Sequence, residues 1–299
     1  GYVTGVGRPW ARMVHNLMGL VCKVPLNTVV MYSLGMGAAG CAAATATISW
    51  GTAILAWSWC ARQSDCSEFG VFARFTLPGP GAILALVKLG LPIGATMLVD
   101  VTAFTFMALF VARLGPVFSA AHQIASNLTV LTFMIPLSIG HAALVLAGQA
   151  LGAGKPAEAR RAALVGLGVG VAVASVVSLA LWLGAERLAA VYTPDASVRV
   201  VAAGLIGILA YYHLADAMQA VVVNVLRGYK KTAVPMLAYT VALWGIGLGG
   251  GYLLALTEWL GPARGVAGFW IAASVGLLLA GLAMLTYFLR ISRPAATPR

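Results

Sequence analysis

Two carboxylates stand where carboxylates are expensive. Of the eight acidic residues in the 299-residue chain, Asp65, Glu68, Glu158, Glu186, Asp195 and Glu258 fall in polar breaks or at their edges, whereas Asp100 and Asp216 lie deep inside long apolar runs. Counting along a helix at about 1.5 Å per residue puts Asp100 roughly 18 Å from Lys88 and roughly 20 Å from Arg113, and Asp216 roughly 25 Å from Arg199 and roughly 16 Å from Arg227. Both acids therefore sit near the middle of their runs. In a bilayer such a charge costs about 2.5–3.5 kcal/mol on insertion scales, so it is expected to face a cavity or a partner. Tyr212 and Gln219 share a helical face with Asp216 at i−4 and i+3, which gathers a phenol, a carboxylate and an amide. Oxygen clusters of this type suit Na⁺ or a transferred proton. Met97, Phe104 and Met107 lie around Asp100 as an apolar and aromatic surface beside a negative charge, the composition expected of a site for a lipophilic cation.

Other patterns carry less chemistry. Gly166-x-Gly168-x-Gly170 mimics a dinucleotide loop, but no strand precedes it and it lies within an apolar helix, so helix packing is the better reading. Gly148 to Gly154-Lys155 mimics a phosphate loop with the wrong spacing and with Pro156 where Ser or Thr belongs, which argues against an ATPase. The four histidines (His15, His122, His141, His213) are read as packed or hydrogen-bonded. No nucleophile–base or His-Glu-x-x-His arrangement points to an enzyme. The four cysteines (Cys22, Cys41, Cys60, Cys66) form no Cys-x-x-Cys pair and are read as small hydrophobes; no cofactor is expected, and no metal beyond Na⁺ at Asp100 and Asp216.

The elements that must position these groups are membrane helices. The chain is 61% hydrophobic and only 9% charged, with mean hydropathy +0.93; an ordinary soluble domain carries roughly a quarter charged residues. Eight apolar stretches reach the 20 or so residues that cross a bilayer core of about 30 Å: 10–34, 38–60, 88–112, 122–148, 162–183, 200–226, 235–256 and 265–289. The alternating ten-residue segments of an outer-membrane barrel are absent. A net charge of +11 would suit nucleic acid, but its distribution points elsewhere. If the loops alternate sides, fourteen of the nineteen Lys and Arg residues fall on one side and four (Arg113, Arg187, Arg199, Arg264) on the other, with Lys23 inside the first span. That asymmetry predicts both termini on the cytoplasmic side. Pro25, Pro92 and Pro136 fall within spans and permit kinks.

The chain opens Gly1-Tyr2-Val3 without an initiator Met or a signal-peptide pattern, the expectation for a piece of a longer protein. A polar, Pro/Gly-rich break at 61–85 separates two helices from six and reads as a linker between lobes. Gly37-Ala38-Ala39-Gly40 with Ala44 echoes Gly265-Val266-Ala267-Gly268 with Ala272, and each segment opens the last helix of its lobe. Duplicated lobes are common in secondary transporters.

Several of these segments together resemble the multidrug and toxic compound extrusion (MATE) transporters of the NorM type. Pro25-Leu26-Asn27 with Gly37 and Gly40 is similar to that family's fifth and sixth helices. Gly90-Leu91-Pro92-Ile93-Gly94 with Asp100 and Phe104 is similar to its seventh. Ala120-Ala121-His122-Gln123-Ile124-Ala125 with Asn127, followed by Ile135-Pro136-Leu137-Ser138-Ile139 and Ala142, resembles its eighth. Gly148-Gln149, Leu151 to Gly154 and Ala159-Arg160 resemble the following cytoplasmic turn, and Tyr212, Asp216-Ala217, Gln219 and Leu226 to Lys230 resemble the tenth helix and its exit.

The resemblance implies an all-α integral membrane protein: residues 1–60 as the last two helices of an N-terminal lobe, 61–85 as a cytoplasmic linker, 86–291 as a complete six-helix C-terminal lobe and 292–299 as a cytoplasmic tail. It implies export of hydrophobic cationic drugs across the inner membrane by antiport with Na⁺ or H⁺, with Asp100, Tyr212 and Asp216 in the cation site. Met97, Phe104, Met107, Gln123, Asn127 and Gln219 are the expected cavity residues. Asp100 stands where related members often carry Glu, and the absent first four helices would hold the other lobe's acid. Two rivals stay open. One is a flippase for lipid-linked sugars, which would need a basic cavity, and the other is a chain inactive without its missing helices.

Overall fold

In the computed structural model the described residues are 9–33, 35–62 and 79–293. They form helices throughout, and eight are long and apolar enough to cross a membrane. We number these α1 to α8: α1 Pro9–Thr28, α2 Gly37–Arg62, α3 Pro80–Ala112, α4 Pro116–Gly152, α5 Pro156–Tyr192, α6 Ala196–Gly228, α7 Ala233–Leu256 and α8 Val266–Ile291. α3 to α6 overrun the hydropathy bounds by several residues because their end turns reach into polar surroundings that a window average discards, whereas the other helices keep close to theirs. α3 starts at Pro80, so the last residues of the 61–85 break are helical. Most of that break, with Asp65, Cys66 and Glu68, and the tail from residue 294 lie outside the described residues.

The chain divides into two compact units, Gly1–Gly79 and Pro80–Arg299. In the first, α1 continues as a π-helical turn over Val29–Ser33 and then packs along α2. Trp59, near the end of α2, meets Trp10 and His15, near the start of α1, at ring-centroid distances of 6.3 and 6.1 Å, so the pair is an antiparallel hairpin. In the second unit α6 is central. It packs against α4, α5 and α8; α8 packs against α7, and α7 against α3, which also approaches α4. α6 and α8 bury more of their length than any other described helix.

Local sequence explains these elements. Proline occupies the first turn of α4 and α5, where its fixed φ suits a helix and its missing N–H loses nothing. Asp195 caps α6: its carboxylate accepts from the backbone N–H groups of Ser197 at 2.8 Å and Val198 at 3.3 Å. α7 is π-helical over Val241–Gly250. In the spans, hydroxyls turn inward on their own helices: Thr45, Thr96, Thr129, Ser138, Thr240 and Ser274 each donate to the carbonyl four residues back at 2.7–2.9 Å.

The sequence echo has a local structural counterpart. Gly37, the first residue of α2, and Gly265, immediately ahead of α8, both adopt positive φ, +53° and +56°, a conformation that other residues enter at a cost. Three residues on, Gly40 and Gly268 each approach the backbone of the preceding helix: a Cβ would lie 3.0 Å from the Val30 oxygen at the first and 2.8 Å from the Ala255 nitrogen at the second. Ala44 and Ala272, one turn further, are buried. The Gly166–Gly170 stretch is a packing face as expected. A Cβ at Gly166 or Gly170 would meet Ala143 of α4 at 2.7 Å or Val221 of α6 at 2.8 Å, while Gly168 has nothing within 4 Å.

The outside of the bundle is apolar. Leu86, Leu91, Leu98, Val176, Leu183, Val200 and Tyr211, among many others, are largely exposed, an arrangement stable only with lipid as solvent.

Candidate functional site

Polar side chains of α3, α6 and α7 in the second unit converge. The Tyr239 hydroxyl of α7 donates to Asp100 Oδ1 of α3 at 2.7 Å. Trp244, about one turn along α7, donates through Nε1 to the Val99 carbonyl and to the Thr102 hydroxyl, both at 3.3 Å. Two side chains of α7 thus tie it to a short length of α3 that includes Asp100. On α6, Tyr212, Asp216 and Gln219 are all buried, with 3%, 5% and 4% exposure, so the face expected from their spacing is turned into the core. The carboxylates of Asp100 and Asp216 and the hydroxyls of Tyr212 and Tyr239 lie within electrostatic reach of one another.

An aromatic wall stands beside them. Phe104, one turn beyond Asp100, makes edge contacts with Tyr212 at 6.5 Å and with Trp270 at 6.4 Å, and Tyr212 meets Trp270 at 5.5 Å. The three rings come from α3, α6 and α8. His122 of α4 backs Trp270 at 5.8 Å. Among the described residues, buried Trp270 Nε1, His122 Nδ1 and His213 Nε2 have no hydrogen-bond partner. Buried polar atoms without protein partners mark places where water or a polar guest fits.

Two acids, two phenols and three aromatic faces in an apolar bundle can hold a cation by charge, by oxygen ligation or through ring faces. They do not supply a nucleophile with its base. Among the described residues there is no cluster of three or more His, Cys, Asp or Glu that could hold a metal ion. Cys22 and Cys41 are free thiols.

The structure sorts the residues expected from sequence. Asp100, Phe104, Tyr212, Asp216 and Gln219 come together. Met107 is buried in the same core at 6% exposure, whereas Met97 is 64% exposed. Gln123 and Asn127 are exposed on the second unit taken by itself, and Asn127 accepts from the Tyr192 hydroxyl at 2.7 Å. It is their neighbour His122 that turns inward. Tyr239 and Trp270 were not singled out in the sequence. Tyr239 carried a usable signal: a phenol eight residues beyond Lys231, about 12 Å along its helix from that charge, within several ångströms of the depth of Asp100 counted from Lys88.

The MatE family profile matches residues 92–253. The chain is 38% identical to a "Probable multidrug resistance protein NorM" of Aromatoleum aromaticum, over 96% of this chain and 63% of that one. It is 37% identical to "Multidrug resistance protein PmpM" of Pseudomonas aeruginosa, over 98% of this chain and 62% of that one. Among solved structures it is similar to an outward-facing multidrug resistance MATE family transporter, at TM-score 0.86 and 19% identity over 97% of this chain and 64% of that one. It is similar also to the eukaryotic MATE transporter AtDTX14, at TM-score 0.82 and 18% identity over 92% of this chain and 61% of that one. The chain spans less than two thirds of the length of the relatives it matches.

Proposed function

The chain belongs to the MatE family, and from that premise we infer that it supplies the cation-coupling part of a multidrug exporter in the inner membrane, with both of its ends on the cytoplasmic side. The observation that carries this reading is the Asp100–Tyr239 hydrogen bond set against the buried Tyr212–Asp216 face and the Phe104–Tyr212–Trp270 wall. A coupling cation, Na⁺ or H⁺, is taken by Asp100, Asp216 and their phenols. A lipophilic drug cation competes for the same negative charge while resting on the aromatic faces. Competition couples the two fluxes only if the cation and the drug bind the inward- and outward-open states differently. Alternating access, the drugs carried and the direction of pumping belong to the whole transporter.

The buried side chains of the described residues include a carboxylate and no lysine or arginine. That favours a positively charged cargo over the phosphates of a lipid-linked sugar.

The test is Asp216→Asn in the full-length exporter, read as dye efflux with Na⁺ and pH gradients imposed separately. Gradient-driven efflux falls by at least about tenfold if the acid carries coupling, equivalent to about 1.4 kcal/mol. Unchanged efflux under both gradients sinks the proposal, and a response to one gradient alone identifies the ion.

A further inference from the structure

At the end of the bundle away from Lys155, Arg160 and Lys231, α5 and α6 part to leave a cleft of about 1120 Å³. Small-molecule pockets usually hold roughly 300–1,000 Å³, so the cleft is too large for a single small anion. Its rim carries Glu186, Arg187 and Arg199, and its walls include Trp182, Leu183, Val200, Ala203, Gly204 and Gly207. All three rim residues are exposed. Neither arginine is ion-paired among the described residues, whose salt bridge is Lys155 to Glu158 at the other end of α5.

Depth decides what such a cleft meets. α5 has 37 residues and α6 has 33, so they are about 55 and 50 Å long and overrun a core of about 30 Å by roughly 12 and 10 Å at each end when centred. Arg187 lies five residues from the end of α5, about 8 Å, and Arg199 three from the start of α6, about 5 Å, which sets both level with lipid headgroups. Gly204 and Gly207 lie eight and eleven residues in, about 12 and 17 Å, within the hydrocarbon. A Cβ at either glycine would meet nothing within 4 Å, so the missing side chains leave a groove that starts at the arginines and runs into the membrane.

We propose that this cleft seats one glycerophospholipid of the adjoining leaflet, its phosphate held between Arg187 and Arg199 and one acyl chain lying along Gly204 and Gly207. Two guanidinium groups suit a phosphate because each presents a planar fork of donors. Glu186 limits the rim's net charge to +1, which favours a single phosphodiester over a polyanion. In a bilayer the competing occupant is always lipid, so a groove of this polarity and depth is filled by the molecule that has a charged head and an apolar tail in the same order.

Native mass spectrometry of the purified chain, stripped of lipid and reloaded with phosphatidylethanolamine or phosphatidylglycerol, reads this out. The expected result is one retained phospholipid, not displaced by inorganic phosphate, with retention lowered about tenfold or more in R187Q/R199Q, because each charge-assisted bond is worth about a decade in binding or more. Gly204→Leu leaves the rim intact and fills the groove; it lowers retention comparably with the helix content and melting temperature of the unaltered chain. R113Q, an arginine of the same end that rests on the Phe110 ring, retains lipid fully. Retention unchanged in both groove variants overturns the proposal. So does displacement by inorganic phosphate with no effect of Gly204→Leu, which leaves a simple anion site. A dimer mass that disappears in Gly204→Leu, with no lipid bound, would show the groove to hold a second copy and overturns it equally.

Discussion

Gly268→Ala tests whether the wall of the site is held by backbone contact. The added methyl would lie 2.8 Å from the Ala255 nitrogen, 2.8 Å from the Leu254 carbonyl carbon and 2.9 Å from the Ala255 Cα. All three are backbone atoms, so no side chain can swing aside, and α8 must move away from α7. Overpacking of this kind costs typically about 1–3 kcal/mol. Against it stands the ordinary gain from replacing a helical glycine with alanine, about 1 kcal/mol. Since the clash is with three main-chain atoms, its cost falls in the upper part of that range, about 2–3 kcal/mol, and the net loss is about 1–2 kcal/mol. Gly168→Ala is the contrast, because the same methyl there meets nothing within 4 Å and only the gain remains. At about 2–4 °C per kcal/mol, Gly268→Ala melts several degrees lower in detergent and Gly168→Ala a few degrees higher. Because Trp270 follows Gly268 by two residues and faces Tyr212 and Phe104, the displaced helix also loosens the aromatic wall, and on the proposed function drug binding weakens in the first variant alone. A Gly268→Ala protein that melts at or above the unaltered chain refutes the reasoning, whatever its activity.

Two further substitutions probe the site and its scaffold. Tyr239→Phe removes the 2.7 Å donor to Asp100; hydrogen bonds to charged groups contribute about 1.5–3 kcal/mol, so a double-mutant cycle with Asp100→Asn, read as melting temperature, should show coupling well above the scatter, and additive effects would remove Tyr239 from the site. Asp195 is held below the usual carboxylate range by the bonds it accepts from the Ser197 hydroxyl, then from the backbone of Ser197 and Val198. A carboxyl depressed on folding adds stability above its unfolded pKa, about 3.9, and loses it as pH falls through the folded value. Asp195→Ala therefore lowers the melting temperature at neutral pH, and the gap between the two proteins closes under acid; a pH-independent gap would contradict the capping role.

The spans were legible because the signal for a membrane helix is long and the solvent unforgiving: eight apolar runs gave eight helices, the middle four longer than their hydropathy. The acids Asp100 and Asp216 were legible for the same reason, and Tyr212 and Gln219 followed from helical spacing around Asp216. Spacing is silent, however, about which helices meet. Asp100 and Tyr239 stand 139 residues apart with three whole helices between them, and nothing local to either residue announces the bond. His122 and Gln123 mark a finer limit. They differ by one position, about 100° around α4, and only the packing against α8 decides that the histidine faces Trp270. The π-helical stretch of α7 likewise lies in a glycine-rich run whose composition fits an ordinary packed helix equally well.

The inward-turned hydroxyls of Thr45, Thr96, Thr129, Ser138, Thr240 and Ser274 change what a passing molecule would meet. Each has already given its hydrogen to its own helix, so much of the chain's apparent polarity is invisible from outside the helix that carries it. A hydrophobic guest would find surfaces that behave largely as hydrocarbon, interrupted at Asp100, Asp216, their phenols and the Trp270 and His122 ring nitrogens. Selectivity in such an interior is coarse by construction: it distinguishes positive from neutral and flat from bulky, and reads little of the functional groups that tell one guest from another.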